Sequence, residues 1–128
     1  MTVYDRSNFS GKDRLGHMED SLVELTAGVG TVQNTTATSL TPNAAVANIF
    51  KLSSSSNPTF NNPTNPTVGQ IIVLIHASTS GTQTASFDTQ YKAGGGAGSA
   101  IAVNKQRAYT FLWDGTNWVE LYRTSADV

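Results

Sequence analysis

Phe111-Leu112-Trp113-Asp114-Gly115-Thr116-Asn117-Trp118-Val119-Glu120-Leu121-Tyr122-Arg123 decides the class of fold. Two aromatic-rich halves flank a polar turn. Gly115 tolerates the positive φ of a tight turn, and the Asp114 side chain can close a local hydrogen bond. Strand alternation puts Tyr109, Phe111 and Trp113 on one face of the incoming arm, and Trp118 and Tyr122 on one face of the outgoing arm. Such a hairpin builds core and carries no catalytic chemistry. The residues expected to be buried, by this fold or by a partner subunit, are Ile71, Val73, Ile75, Phe111, Trp113, Trp118 and Leu121.

Upstream of the hairpin, short strands alternate with strong punctuation. Thr31 to Leu40 is Thr-rich and ends at Thr41-Pro42-Asn43. Val46 to Leu52 reads as a strand, with Val46, Asn48, Phe50 and Leu52 on one side and Ala47, Ile49 and Lys51 on the other. Ser53 to Thr67 holds three prolines (Pro58, Pro63, Pro66). That spacing excludes helix and central strand and predicts a long surface loop, with an edge strand near Thr59-Phe60. Gly69 to Ala77 is apolar on both faces, like the middle of a sandwich or an intersubunit strand. Thr82 to Phe87 alternates weakly, Gly94 to Gly98 is a turn, and Ser99 to Val103 reads as a strand. The rhythm predicts a mainly β fold: an antiparallel β-sandwich, jelly-roll or Ig-like, over residues 31–128. No internal repeat is visible, which disfavours a solenoid.

Residues 1–30 differ from the rest in charge and period and are read as a separate arm and helix for attachment and oligomerisation. Leu15, Met18, Leu22 and Leu25 recur at spacings of three and four, a single helical stripe within residues 12–27. Ser10 or Asp13 is the candidate N-cap and Gly28 the stop. The stripe implies a partner surface: its own sheet, a neighbour's sheet, or a symmetric helix bundle. Asp5, Arg6, Arg14 and Glu24 are placed at the rim of that contact, where ion pairs fix register more than they add affinity.

Composition narrows the function classes. The chain has 128 residues, 13% of them charged, and a net charge of −1; soluble domains usually carry about 25% charged residues. With no Lys/Arg cluster, nucleic acid and anionic membrane are not expected partners. The apolar run Ile71 to Ile75 is far too short to span a bilayer, and the N-terminus has no signal-peptide pattern. Cysteine is absent, which removes disulfides and thiolate metal sites.

No enzyme is expected, and no cofactor or metal. His17 and His76 are the only histidines, and a zinc site would need both plus distant carboxylates. His76 at the end of an apolar strand reads as a hydrogen-bonded structural histidine. There is no Gly-x-Ser-x-Gly elbow. Residues 31–128 hold only Asp88, Asp114, Glu120 and Asp127 as acids, too few for a glycosidase pair. Gly94 to Gly98 lacks the following helix and Lys of a phosphate loop. Tyr91, Tyr109, Trp113, Trp118 and Tyr122 raise the possibility of a sugar-stacking face, although core or subunit interface is the expected use of such rings.

From Gly69-Gln70-Ile71-Ile72-Val73-Leu74-Ile75 through Phe111 to Arg123, the chain resembles small β-sandwich domains of tailed-bacteriophage virion proteins. Their closing hairpins share the aromatic-DGTNW-aromatic pattern. The resemblance implies a non-enzymatic virion structural protein. The first expectation is a capsid decoration (cement) protein on the outer surface of the phage head, made in the host cytoplasm. A 128-residue chain opening on its own Met, with no fibre stalk, reads as self-sufficient in that role. The implied partners are the major capsid protein and further copies of the chain, as a homo-trimer or a dimer. The alternative is the receptor-binding tip or knob of a tail fibre.

Overall fold

The computed structural model describes residues 30–94 and 96–128, and its β unit spans Thr31–Val128. The arm, the helix and the attachment residues Leu15, Met18, Leu22, Leu25, Asp5, Arg6, Arg14 and Glu24 lie outside the described residues, as does His17.

Nine strands form the unit: β1 (Val32–Thr36), β2 (Ser39–Leu40), β3 (Ile49–Ser54), β4 (Thr59–Phe60), β5 (Ile71–Ser78), β6 (Ser86–Phe87), β7 (Tyr91–Lys92), β8 (Gln106–Trp113) and β9 (Trp118–Arg123). A six-stranded sheet has the order β1-β3-β5-β8-β9-β7, and a three-stranded sheet the order β2-β4-β6. The chain passes from the large sheet to the small one and back. Val32 pairs in parallel with Ile49, and Ile49 with Val73. Across the small sheet Ser39 pairs with Thr59 and Thr59 with Ser86, again in parallel.

This is a β-solenoid of about three turns, which overturns the expected antiparallel sandwich. Antiparallel pairing in the large sheet is confined to the β8–β9 hairpin, where β8 runs against β5 and β9 against β8, while β7 pairs in parallel on the outer side of β9. That hairpin closes the stack. At the other end, Gln33 and Thr35 of β1 lie beside Phe50 and Leu52, so the inward columns turn polar where the stack stops.

The solenoid also changes the reading of the Asn/Pro-rich segment. Rather than a surface loop, it is the corner of the second turn, with Pro58 and Pro63 buried. Asn61 Nδ2 donates to Thr41 Oγ1 at 2.9 Å on the first turn. Asn62 Nδ2 donates to Thr89 Oγ1 at 3.2 Å on the third. Asparagines bond to the turn above or below, and the prolines supply bends that need no ladder N–H. Strand β4 does occupy Thr59-Phe60, but at the centre of its sheet. Ser99 to Val103 is not a strand: only Ile101 makes a bridge, to Gln83.

The core lies between the sheets. Phe50, Leu52, Ile72, Leu74, Phe60, Tyr109, Phe111 and Trp118 are completely buried. Cross-strand register stacks them: Phe50 beside Leu74, Leu74 beside Tyr109, and Ile72 beside Phe111. Each such side chain contributes ~1.5–3 kcal/mol through burial. Phe111, Trp113 and Trp118 are buried as expected, whereas Ile71, Val73 and Ile75 point the other way. Ile72, Leu74 and His76 are the inward residues of β5, and Ile71 is 48% exposed. Register is decided by neighbours, and a strand apolar on both faces gives no clue to which face is inside.

A β-bulge between Glu120 and Tyr122 separates Trp118 from Tyr122. Trp118 is fully buried and Tyr122 is 63% exposed, with the bulged Leu121 at 52%. The expected shared face of Trp118 and Tyr122 is therefore corrected, and Leu121 is not buried by its own fold. One extra residue reverses the alternation.

Candidate functional site

The carboxylates of residues 31–128 are all committed to the backbone. Asp114 Oδ1 accepts from the amides of Thr116 and Asn117 at 2.8 and 2.7 Å, while Gly115 adopts φ 103°. These bonds hold the Asp114 carboxyl below its ordinary pKa. Asp88 accepts from Thr89 N at 2.7 Å and from Asn62 N at 3.3 Å. Asp127 accepts from Ala102 N at 2.9 Å, which lowers its pKa likewise.

Glu120 makes the most elaborate of these clamps. Its Oε2 accepts from Arg123 Nε at 2.7 Å, and its Oε1 from Arg123 Nη2 at 2.8 Å and Gly94 N at 2.7 Å. The Arg123 bonds, more than the Gly94 amide, hold Glu120 below the usual carboxylate range. Glu120 in turn raises Arg123. Arg123 Nη1 also donates to Ser99 Oγ at 2.9 Å and to Ala97 O at 3.2 Å, and its guanidinium lies over the Tyr109 ring. The bulge makes this possible, because it turns Arg123 back beside Tyr109.

Beside this pair is an open groove of about 430 Å³, lined by Gly94, Glu120, Leu121, Tyr122 and Arg123. Of the five rings considered for sugar stacking, Tyr91, Tyr109, Trp113 and Trp118 are buried and Tyr122 alone is exposed. Tyr91 and Tyr109 use their hydroxyls inside the fold, Tyr91 donating to Asn61 O and Tyr109 accepting from Ser99 N.

A second polar cluster lies at the end of the inward columns. His76 is fully buried and sits beside Leu52 and Arg107. Its Nε2 is 2.9 Å from Gln83 Oε1. Gln83 Nε2 donates to Ser54 O and Ser80 O, so Oε1 is the acceptor and His76 Nε2 carries the proton. Burial pushes His76 below its ordinary value of 6.5 against the opposing pull of the Gln83 bond. The expected structural role for His76 is what this geometry provides. Sequence reasoning did not single out Gln83 or Arg107, since isolated polar residues in weakly alternating segments carry no pattern.

Among the described residues no group of three or more His, Cys, Asp or Glu side chains is placed to hold a metal. No helix among them is long and apolar enough to cross a membrane.

No protein-family model and no curated protein matches this chain. A solved structure described as "Structure of a chaperone-substrate complex" is similar at 15% identity and a TM-score of 0.42. The similarity covers 72% of this chain and 17% of that one.

Proposed function

We propose that this chain is a non-enzymatic structural protein of a tailed-bacteriophage particle, a decoration protein bound to the outer surface of the head. The observation that carries the reading is the commitment of Asp88, Asp114, Glu120 and Asp127 to backbone amides. Acids used in this way stiffen turns and are not free for proton transfer. The closing hairpin carries the phage-like sequence pattern, and Asp114 holds its turn through two backbone amides. In this reading the role is mechanical. Residues 1–27 grip the major capsid protein, the solenoid associates with further copies, and several weak contacts per particle must break together.

Two measurements test the proposal. The molar ratio of this chain to the major capsid protein in purified particles should correspond to hundreds of copies per head. A few tens or fewer would sink the decoration role. Deleting residues 1–27 should leave a folded solenoid that no longer sediments with particles lacking the protein. Undiminished binding would move the capsid contact to the solenoid.

The second reading, a receptor-binding tip of a tail fibre, is favoured by the groove beside exposed Tyr122. There an aromatic ring adjoins the Glu120–Arg123 pair, as sugar recognition requires. Low copy number together with loss of cell adsorption in Tyr122→Ala particles would select it.

A further inference from the structure

At the outer edge of β9 an exposed aromatic ring adjoins a fixed polar pair. Strand β7 pairs with β9 at Trp118 and Val119 and stops there. Where it stops, the groove of about 430 Å³ opens along Gly94 and Glu120 to Arg123, a volume within the ~300–1,000 Å³ of small-molecule pockets. The bulge between Glu120 and Tyr122 shapes it. Glu120 and Arg123 are joined to each other, while the Tyr122 ring is 63% exposed. Bulges re-aim side chains in this way next to binding sites.

The polar pair has a defined remaining capacity. Among the described residues, Arg123 spends all but one of its N–H groups: Nε and one Nη2 hydrogen on Glu120, Nη1 on Ser99 Oγ and Ala97 O. Glu120 Oε1 is filled by Arg123 and Gly94 N, whereas Oε2 accepts from Arg123 Nε alone. One Nη2 hydrogen and one Oε2 lone pair are left over. The charges cancel across a 2.7 Å contact. Both side chains are already ordered, so binding would not have to order them.

We propose that this groove binds a neutral saccharide, with its C–H face on Tyr122 and its hydroxyls on the Glu120–Arg123 pair. A hydroxyl both donates and accepts, so it can use the spare lone pair and the spare N–H alike. A sugar ring carries such hydroxyls at its edge and an apolar C–H face beside them. That combination matches Tyr122 and Leu121 on the groove wall next to the polar pair. A carboxylated sugar finds no unpaired cation here, because Glu120 neutralises Arg123, and it would lose hydration without a partner.

The inference rests on the receptor-binding reading above for its biological setting, and it is tested on the purified full chain without particles. The probes are glucose, galactose, mannose and N-acetylglucosamine, with glucuronate as the charged counterpart, titrated by NMR. At least one neutral sugar should shift the amides of Gly94 and Glu120 to Arg123 with a Kd of about 10 mM or below, and glucuronate should bind roughly tenfold more weakly. Tyr122→Ala should keep the β circular dichroism spectrum and lose roughly tenfold in affinity, while Tyr122→Phe retains it. Glu120→Gln should turn the preference toward glucuronate, because Arg123 is then no longer neutralised. No shift with any neutral sugar at about 100 mM overturns the proposal. So does binding unaffected by folded Tyr122→Ala, or glucuronate bound as tightly as the neutral sugars. Sugar binding together with hundreds of copies per head would keep the site and sink the tail-fibre reading. Low copy number without sugar binding would do the reverse.

Discussion

Trp113 and Trp118 face each other across the closing hairpin, their ring centroids 5.2 Å apart and their planes inclined at 43°. The register Trp118 to Trp113 makes them the last cross-strand pair before the turn. The hairpin thus plugs the end of the core with the two largest side chains in the protein. Trp118→Ala should cost ~3–5 kcal/mol, the usual range for emptying a fully buried aromatic site. Urea denaturation with an unchanged m-value would measure it. A loss below ~1 kcal/mol would mean the ring is not packed as described.

The bulge makes an opposite prediction for a neighbour. Tyr122→Ala should change stability by no more than about 0.5 kcal/mol in the isolated monomer, because the ring is exposed. Regular alternation from Trp118 would turn Tyr122 inward, where its loss would cost several times more. Parallel urea titrations of the two variants separate a bulged β9 from a regular one.

Gly98 is a site of close approach. A Cβ there would lie 2.8 Å from Tyr109 Oη and 3.1 Å from both Cβ and O of Ala85. The Ala85 backbone cannot retreat, and Tyr109 Oη holds the Ser99 amide. Gly98→Ala should therefore destabilise by ~1–3 kcal/mol through overpacking. A melting temperature equal to that of the native chain would contradict the close packing of this loop on β8.

Stability should depend on pH in two separate windows. His76 has a folded pKa below its unfolded value of 6.5. Below pH 6.5 the unfolded chain takes up a proton that the folded chain resists, so stability falls as pH drops from that point. Asp114, Glu120 and Asp127 also have lowered folded values. Their contribution is present above the ordinary carboxylate pKa and is lost only at lower pH. In His76→Gln the loss of stability between pH 7 and 5 should flatten while the acid limb persists. An unchanged upper window would show that His76 titrates normally.

Glu120→Gln should loosen one loop more than it destabilises the whole. Arg123 retains solvent contact, so the global cost is about 1 kcal/mol or less. Gly94 N–H loses its charged acceptor, and its hydrogen exchange should quicken relative to β5 amides. Uniform acceleration across the unit would show that the clamp is global.

The longer strands and the closing turn were readable from local chemistry, whereas β7 and the lack of a strand at Ser99 to Val103 were not. Alternation put Phe50 and Leu52 on one face, which is the inner one, and Asp114-Gly115 located the turn that Asp114 closes with two amides. The pairing partners were not readable. Successive turns have unequal lengths, and the small sheet uses strands of two residues. A repeat defined by backbone pairing thus leaves no periodic sequence. The Pro-rich corner misled because proline excludes a ladder position only where an N–H is needed. Of the candidate site, His76 was legible from its place at the end of β5. Glu120 and Arg123 were not, because the bulge that joins them is a tertiary choice without a glycine to mark it.

The direction of stacking also governs how the chain is made. Ile72 and Leu74 of β5 pair side by side with Phe111 and Tyr109 of β8, which leave the ribosome later. Until they do, a nascent chain carries Ile71 to Ile75 as a bare, uncharged β-segment, the kind most prone to pair with its neighbours on a polysome. Parallel coils can begin to wind as they emerge, but the lid arrives after the box. Yield should therefore depend on how quickly translation runs from β5 to Trp118, with slow synthesis over that interval favouring insoluble product even though the finished fold is unchanged.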